Sequence, residues 1–266
     1  MDLQLTRQHV LITGGSKGIG LACAHGFLRE GAKVSLVSRS QANLDLALQR
    51  LIRENPGAKE DIGLFAADLQ IAAQAGQALD QAERLHGNVD VLVNCAGAAR
   101  RTPPDELNAQ AWHDAMNAKF FTYVHMIDLV VKKMAHRSRG AIVNVVGAGG
   151  KVASPIHLPG GAANAALMLI TSGLAAAYGP RGVRINAVNP GATVTDRLQA
   201  GLEAAAKLEH ITVEEALSRV TRNVPLGRLA QPEEIANAVV FLASPCASYV
   251  TGAILTMDGA ATPIVV

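Results

Sequence analysis

Aromatic and charged side chains are both scarce in this 266-residue chain. Aromatic residues make up 3% of it and charged residues 17%, against 49% hydrophobic residues. So small a charged fraction indicates a large buried core. The formal net charge of +2 comes without a basic cluster, which argues against nucleic acid as a partner.

Cysteine is also rare, and its placement excludes two classes of protein. Cys23, Cys95 and Cys246 are odd in number and far apart, unlike a disulfide framework or a zinc site. The histidines show no ligand spacing such as H-x-x-x-H, so no metal site is predicted. The first residues contain no apolar stretch behind a basic leader, so we expect no secretory signal and a reducing, cytoplasmic location.

Residues 152–180 contain no Asp, Glu, Lys or Arg. The stretch is rich in Ala and Gly but includes Pro155, Pro159 and Asn164, which do not suit the hydrocarbon region of a bilayer. We therefore predict a buried or subunit-interface helix and no membrane association.

Short β-rich apolar runs alternate along the chain with longer helical patterns. The predicted strands are 10–13, 33–38, 62–66, 89–94, 141–146, 183–188 and 254–257. The predicted helices are 19–29, 42–54, 71–85, 111–134, 161–178 and 232–242. This alternation predicts a single α/β domain over residues 1–266, with a Rossmann-like, doubly wound parallel sheet. Residues 193–225 interrupt the pattern as a substrate-side flap or, alternatively, a plain surface excursion.

The first predicted strand runs into a glycine-rich turn, residues 13–20, and then into a helix. Gly14, Gly18 and Gly20 permit a tight turn and close approach of a pyrophosphate to the backbone at the helix start. The spacing is G-x-x-x-G-x-G, and its position after the first strand favours a dinucleotide site over a purely structural turn.

The end of the second predicted strand indicates which dinucleotide is preferred. An NAD-selective site needs an acidic residue there for the ribose 2′-hydroxyl, whereas this chain has Ser38 and then Arg39. With Lys17 in the nearby glycine loop, two cations suit the 2′-phosphate of NADP. The alternative is that Lys17 and Arg39 are solvated surface charges.

Together these residues resemble the classical short-chain dehydrogenase/reductase family, and the resemblance covers nearly the whole chain. Further matching segments are Asp68-Leu69, Asn94-Cys-Ala-Gly97, Asn189-Pro-Gly191 with Thr195, and a C-terminal signature ending at Met257-Asp-Gly259. The resemblance implies a homodimer or homotetramer. It implies cofactor contacts from Gly14, Ser16, Lys17, Gly18, Ile19, Gly20, Arg39, Asp68, Leu69, Asn94, Ala96, Gly97, Pro190, Gly191 and Thr195.

The catalytic residues that the resemblance implies are largely replaced. Alignment places Gly147, Gly160 and Asn164 at the family's Ser, Tyr and Lys positions, and Asn117 at its catalytic Asn. The three tyrosines of the chain, at 123, 178 and 249, lie elsewhere in the pattern. Ordinary hydride transfer between carbonyl and alcohol is therefore expected to be weak or absent, because a positioned general acid contributes about 10²–10⁴ in rate.

Two other interpretations remain open. An active but atypical NADP-dependent reductase would use His157 as its acid, or would reduce a substrate such as an imine that needs no protein acid. A pseudoenzyme would keep the dinucleotide site and the oligomer surfaces as a scaffold or regulatory subunit. A loop histidine without function is the simpler interpretation of His157 itself.

Overall fold

The computed structural model describes residues 2–97 and 100–264, which form one seven-stranded parallel sheet covered on both faces by helices. The strand order is β3-β2-β1-β4-β5-β6-β7. The strands are β1 His9–Thr13, β2 Lys33–Ser38, β3 Ile62–Ala66, β4 Val91–Asn94, β5 Gly140–Val145, β6 Val183–Pro190 and β7 Ile254–Met257. The predicted fold class is confirmed, and each predicted strand lies within two residues of an observed one.

Helices connect the strands and lie on both faces of the sheet. They are α1 Gly18–Arg29, α2 Gln41–Glu54, α3 Ala72–His86, α4 Ala109–Ala115, α5 Thr122–His136, α6 Leu158–Tyr178, α7 Asp196–Glu209, α8 Val213–Arg222 and α9 Pro232–Ala243. One apolar core packs α1, α2 and α9 on the first face, around Phe27, Leu44 and Val239. The second packs α3, α5 and α6 on the opposite face, around Leu79 and Met126.

The strand order reverses between β1 and β4, which are direct neighbours in the sheet. Loops that follow adjacent strands on either side of such a point diverge and leave a crevice at the carboxyl edge of the sheet. The glycine loop after β1 and the segment after β4 therefore border the same crevice.

The predicted helix 111–134 is not continuous. It is divided into α4, a π-helical segment over Met116–Phe121, and α5. Each π turn accommodates one more residue than an α turn, which changes the faces on which the following side chains lie. This change determines which side chain of the segment points into the protein interior.

Residues 193–225 contain two helices, α7 and α8, that the sequence pattern did not resolve. Leu202, Ala206 and Ala216 form a small apolar cluster between them, separate from the two main cores. Thr193 pairs with Ala230 in an isolated parallel bridge at the base of the excursion. The segment is thus a helical layer at the carboxyl edge of the sheet, with its own packing.

One segment, Pro155–Arg181, is long and apolar enough to cross a membrane, with a mean hydropathy of 1.3. It contains α6, whose Ala163, Leu167 and Ala175 are buried against the sheet. A core helix of a globular domain meets the same criteria of length and composition.

Candidate active site

The glycine loop has the geometry that the sequence predicts for a pyrophosphate site. Gly14 has a φ of +66°, and a Cβ at Gly20 would overlap the carbonyl oxygen of Gly14, so neither position accepts a side chain without rearrangement. Helix α1 begins at Gly18, and the preceding Lys17 makes no side-chain cap to its N–H groups. Its first N–H groups are therefore left for an anionic ligand.

The second strand comes close to this loop through a side-chain hydrogen bond. Ser16 Oγ donates to Ser38 Oγ over 3.0 Å. Lys17 follows Ser16 and Arg39 follows Ser38 in the chain, and both side chains are exposed. Neither forms a salt bridge within the described part of the chain. The two cations predicted to bind a 2′-phosphate thus lie on adjoining loops.

A buried ladder of polar side chains holds the strand ends that face the crevice. Thr13 Oγ1 donates to Asn94 Oδ1 over 3.2 Å, and Asn94 Nδ2 donates to Asn144 Oδ1 over 3.0 Å. Asn144 then donates to Thr171 of α6 over 3.0 Å. Thr13 Oγ1 also accepts the backbone N–H groups of Cys95 and Ala96, and Asn94 has no exposed surface, so its side chain does not itself line the crevice.

The remaining predicted cofactor residues lie on two other strand ends. Thr195 caps α7, and a Cβ at Gly18 would be 3.3 Å from its methyl group, which brings the segment after β6 against the glycine loop. Asp68 follows β3, where its carboxylate accepts the backbone N–H of Gln70 over 3.0 Å. Leu69 is buried.

Two of the three replaced catalytic positions adjoin each other. A Cβ at Gly147 would lie 3.2 Å from Asn164 Nδ2, and the Gly147 N–H donates to Asn189 Oδ1 over 3.1 Å. Asn164 Oδ1 and Asn189 Nδ2 are buried and find no hydrogen-bond partner in the part of the chain that the structure describes. Unpaired buried polar atoms are costly, so these two atoms indicate a polar ligand between α6 and β6. Gly160 is buried on the first turn of α6.

The structure brings to this site a residue that sequence reasoning missed, Lys119 of the π-helical segment. Only 5% of its surface is exposed. Its ammonium group donates to Tyr123 Oη over 2.8 Å and to the carbonyl oxygen of Val145 over 3.1 Å. Val145 ends β5, two residues before Gly147. A Lys ammonium has three N–H donors, so one remains without an acceptor among the described residues.

Among the described residues, no carboxylate forms a salt bridge with Lys119. Burial, with a further contribution from Arg197, lowers the pKa of Lys119 to about 7. A lysine that would be fully charged at the surface therefore changes protonation state near neutral pH. This is the property of a general acid or base at physiological pH.

Asn117, predicted as the retained catalytic asparagine, is exposed to solvent. The geometry favours Lys119, two residues further along, because its side chain points inward from the same segment. A signal was present in the sequence: Lys119 and Tyr123 are four residues apart, and Tyr123 continues into the apolar face of α5. A lysine aligned with a buried helix face is unusual.

His157, the other predicted candidate, lies beside the replaced positions. A Cβ at Gly149 would be 3.3 Å from the ring of His157, and its buried Nδ1 has no hydrogen-bond partner among residues 2–97 and 100–264. Burial, and then Arg197, Arg101 and Lys119, lower the pKa of His157. The ring is therefore neutral at pH 7, which makes it a poor proton donor and leaves it as a hydrogen-bonding group.

Within residues 2–97 and 100–264, no three His, Cys, Asp or Glu side chains are grouped so that they could hold a metal ion.

Known proteins resemble this chain over its whole length. The family model described as Enoyl-(Acyl carrier protein) reductase matches residues 14–262. The 2-(S)-hydroxypropyl-CoM dehydrogenase 3 of Xanthobacter autotrophicus is 36% identical over 264 residues, which are 99% of this chain and 100% of that protein.

Two solved structures with NADPH bound superpose closely on the fold. The L-sorbose reductase of Gluconobacter frateurii, complexed with NADPH and L-sorbose, gives a TM-score of 0.91 at 27% identity and covers 100% of both chains. A short chain oxidoreductase of Pseudomonas aeruginosa, described as containing an atypical catalytic center, gives 0.88 at 30% identity over 98% of this chain and 99% of that chain.

Proposed function

The chain belongs to the classical short-chain dehydrogenase/reductase family, and we propose that it is an NADP(H)-dependent oxidoreductase in which Lys119 replaces the missing proton donor. The observation that carries the proposal is the burial of Lys119 beside the end of β5, with a pKa of about 7. The replaced Ser, Tyr and Lys positions alone predict a degenerate site. With Lys119 as the acid, we expect instead an active site with a different proton donor.

The site fits NADP(H) on observations independent of Lys119. The uncapped start of α1 suits the pyrophosphate, and the adjoining Lys17 and Arg39 suit the 2′-phosphate. The unpaired Oδ1 of Asn164 and Nδ2 of Asn189 suit polar groups of the nicotinamide half. NADPH, when bound, supplies the hydride for reduction of a carbonyl.

Lys119 supplies the proton in this scheme. As the carbonyl oxygen of the substrate gains negative charge, the Lys119 ammonium donates a proton to it, and the neutral amine is reprotonated from solvent. In the oxidation direction the neutral amine accepts the proton of the alcohol. With a pKa of about 7, both forms of Lys119 are populated at neutral pH.

The proposed role is tested by comparing variants at Lys119 and Asn117 with the unmodified protein. NADPH and NADH binding are measured by fluorescence titration, and NADPH oxidation is then measured with a panel of ketones and imines. We expect tighter binding of NADPH, turnover of some ketones, a loss of about 10²–10⁴ in kcat in Lys119→Met, and near-normal kcat in Asn117→Ala.

Each contrary result supports a different function or a different proton donor. Tight NADPH binding without turnover of any ketone or imine indicates a scaffold or pseudoenzyme. Turnover confined to imines, and unchanged in Lys119→Met, indicates a substrate that needs no protein acid. Loss of turnover in His157→Ala, with Lys119→Met active, assigns the acid to His157. Failure to bind either nucleotide contradicts the proposed cofactor site.

The location that we propose is cytoplasmic. All three cysteines are unpaired, including the exposed Cys246. An exposed free thiol is more compatible with a reducing compartment than with an oxidising one.

A further inference from the structure

Several cationic side chains line a cavity that includes Ile156, the residue before His157. This cavity of about 450 Å³ opens between the segment after β4, the turn before α6, and α7. Its lining includes Arg100, Arg101, Lys207 and His210, and Glu106 as the acidic residue. Its size lies within the range of small-molecule sites.

Two arginines continue this positive region toward Lys119. Arg101 reaches across to α7, where its Nη1 donates to the Gly201 carbonyl oxygen over 3.5 Å. Arg197 reaches back from α7, and its Nη1 donates to the Gly97 carbonyl oxygen over 3.2 Å at the end of β4. Within the described residues neither guanidinium group lies within 4.0 Å of a carboxylate.

Arg197 has the environment of a group in a cleft. Its side chain is exposed to solvent, yet the protein surrounding the guanidinium group is sufficient to lower the pKa of Arg197. A cation that is both surrounded and accessible, and whose hydrogen bond goes to a carbonyl oxygen, can meet an anionic ligand without first leaving a carboxylate.

The same cations act on the proposed acid and its neighbour. Arg197 contributes to the lowered pKa of Lys119, and Arg101 and Arg197 both contribute to that of His157. Arg101 contributes in turn to the lowered pKa of Arg197, so these cations repel one another, and within the described residues neither arginine forms a salt bridge. Like charges grouped at a site in this way are stabilised by a bound anion.

We propose that the substrate is a small carbonyl or hydroxy compound that carries an oxyanion group, a carboxylate or a phosphate, bound by Arg101 and Arg197. The inference rests on the proposed function for the position of the reacting carbonyl, which lies toward Lys119. Arginine suits this task because its planar fork of donors matches both oxyanions. His157, whose buried Nδ1 has no partner among the described residues, is close enough to Arg101, Arg197 and Lys119 for all three to lower its pKa.

The test uses pairs of similar ligands, one of which carries an oxyanion group while the other is neutral. Binding to the protein loaded with NADP⁺, which cannot reduce a ketone, is measured by isothermal titration calorimetry at low ionic strength. The probes are levulinate against methyl levulinate and dihydroxyacetone phosphate against dihydroxyacetone, so that the two arms distinguish a carboxylate from a phosphate. We expect one charged member to bind at least about tenfold more tightly than its neutral counterpart, a difference of about 1.4 kcal/mol.

Variants then locate the site of this preference. In Arg101→Gln, and separately in Arg197→Gln, we expect the preference to fall at least threefold, whereas Arg53→Gln on the exposed side of α2 leaves it unchanged. The midpoint of thermal unfolding checks that each variant is folded. If Arg101→Gln is unstable, Arg197→Gln decides alone.

Two results overturn the proposal. One is equal binding of the charged and neutral members in both pairs, including no binding of any. The other is a charge preference that survives in both arginine variants. Because binding is measured without turnover, the anion preference can be confirmed even if Lys119→Met retains activity, and that activity result contradicts the proposed function alone.

Discussion

At the scale of single residues, the protein keeps a lysine where burial opposes its charge. Lys119 is surrounded by protein, and its hydrogen bonds within the described residues go to two neutral oxygen atoms, those of Tyr123 and Val145. Each unit of pKa depression corresponds to about 1.4 kcal/mol of destabilisation of the charged form relative to the unfolded chain. A residue that lowers stability in this way is more readily explained by chemistry than by folding.

The lowered pKa of Lys119 predicts how the free energy of unfolding depends on pH. Between the folded pKa of about 7 and the unfolded value of 10.5, the unfolded chain binds more protons at Lys119 than the folded protein does. The contribution of Lys119 to the free energy of unfolding therefore rises with pH across this interval, by up to about 1.4 kcal/mol per unit.

We expect Lys119→Met to be more stable than the unmodified protein at pH 7 and to lose this advantage progressively toward pH 9. Urea denaturation of both proteins at several pH values measures the difference. Lys59→Met, at an exposed position, provides the control and should show no such trend. A difference independent of pH would mean that Lys119 titrates outside this range.

At the scale of elements, the end of β5 is built around a glycine. Gly147 has a φ of +131°, a conformation that residues with a side chain rarely adopt. A Cβ there would also press against Asn164. The replacement of the family's Ser is therefore accompanied by a backbone that a serine does not fit without strain.

We expect Gly147→Ser to lower the free energy of unfolding by about 1–3 kcal/mol, because it imposes a strained backbone on a side chain. Gly179→Ser is the matched control, since a Cβ at Gly179 meets nothing within 4 Å and its φ is −53°. Chemical denaturation measures both. Equal stability of the two variants would show that β5 readily relaxes at this position.

The elements also show what the sequence could and could not predict. The sheet and the glycine loop were predictable because strand and turn patterns are local. The spacing of Lys119 and Tyr123 was visible in the sequence, but the inward position of Lys119 was not, because the π-helical segment interrupts a pattern that otherwise indicates one helix over 111–134. With that segment unrecognised, Asn117 and Lys119 could not be assigned to their faces. The cationic cavity depends on contacts between segments about 100 residues apart, such as Arg101 with Gly201.

At the scale of the whole molecule, α6 presents an apolar face away from the sheet. Leu169 is 75% exposed, and Ala162, Ala165 and Ala176 are exposed on the same side. Small side chains let a second helix approach closely, and an exposed leucine among them favours association. We propose that the protein is a homodimer or homotetramer that buries this face.

We expect Leu169→Glu to shift the protein toward the monomer in light scattering at micromolar concentration, because a charge is then buried at the interface. Leu46→Glu is the control: Leu46 is 62% exposed on α2, away from α6. A monomeric unmodified protein, or equal effects of the two variants, would contradict association through α6.

The central claim is that Lys119 titrates near neutral pH inside the site. The most direct measurement is an NMR titration of the protein labelled with ¹³C at lysine Cε, with the Lys119 signal assigned from its absence in Lys119→Arg. The structure predicts a midpoint of about 7 for this signal. A midpoint above about 10, as for an ordinary surface lysine, would contradict the account.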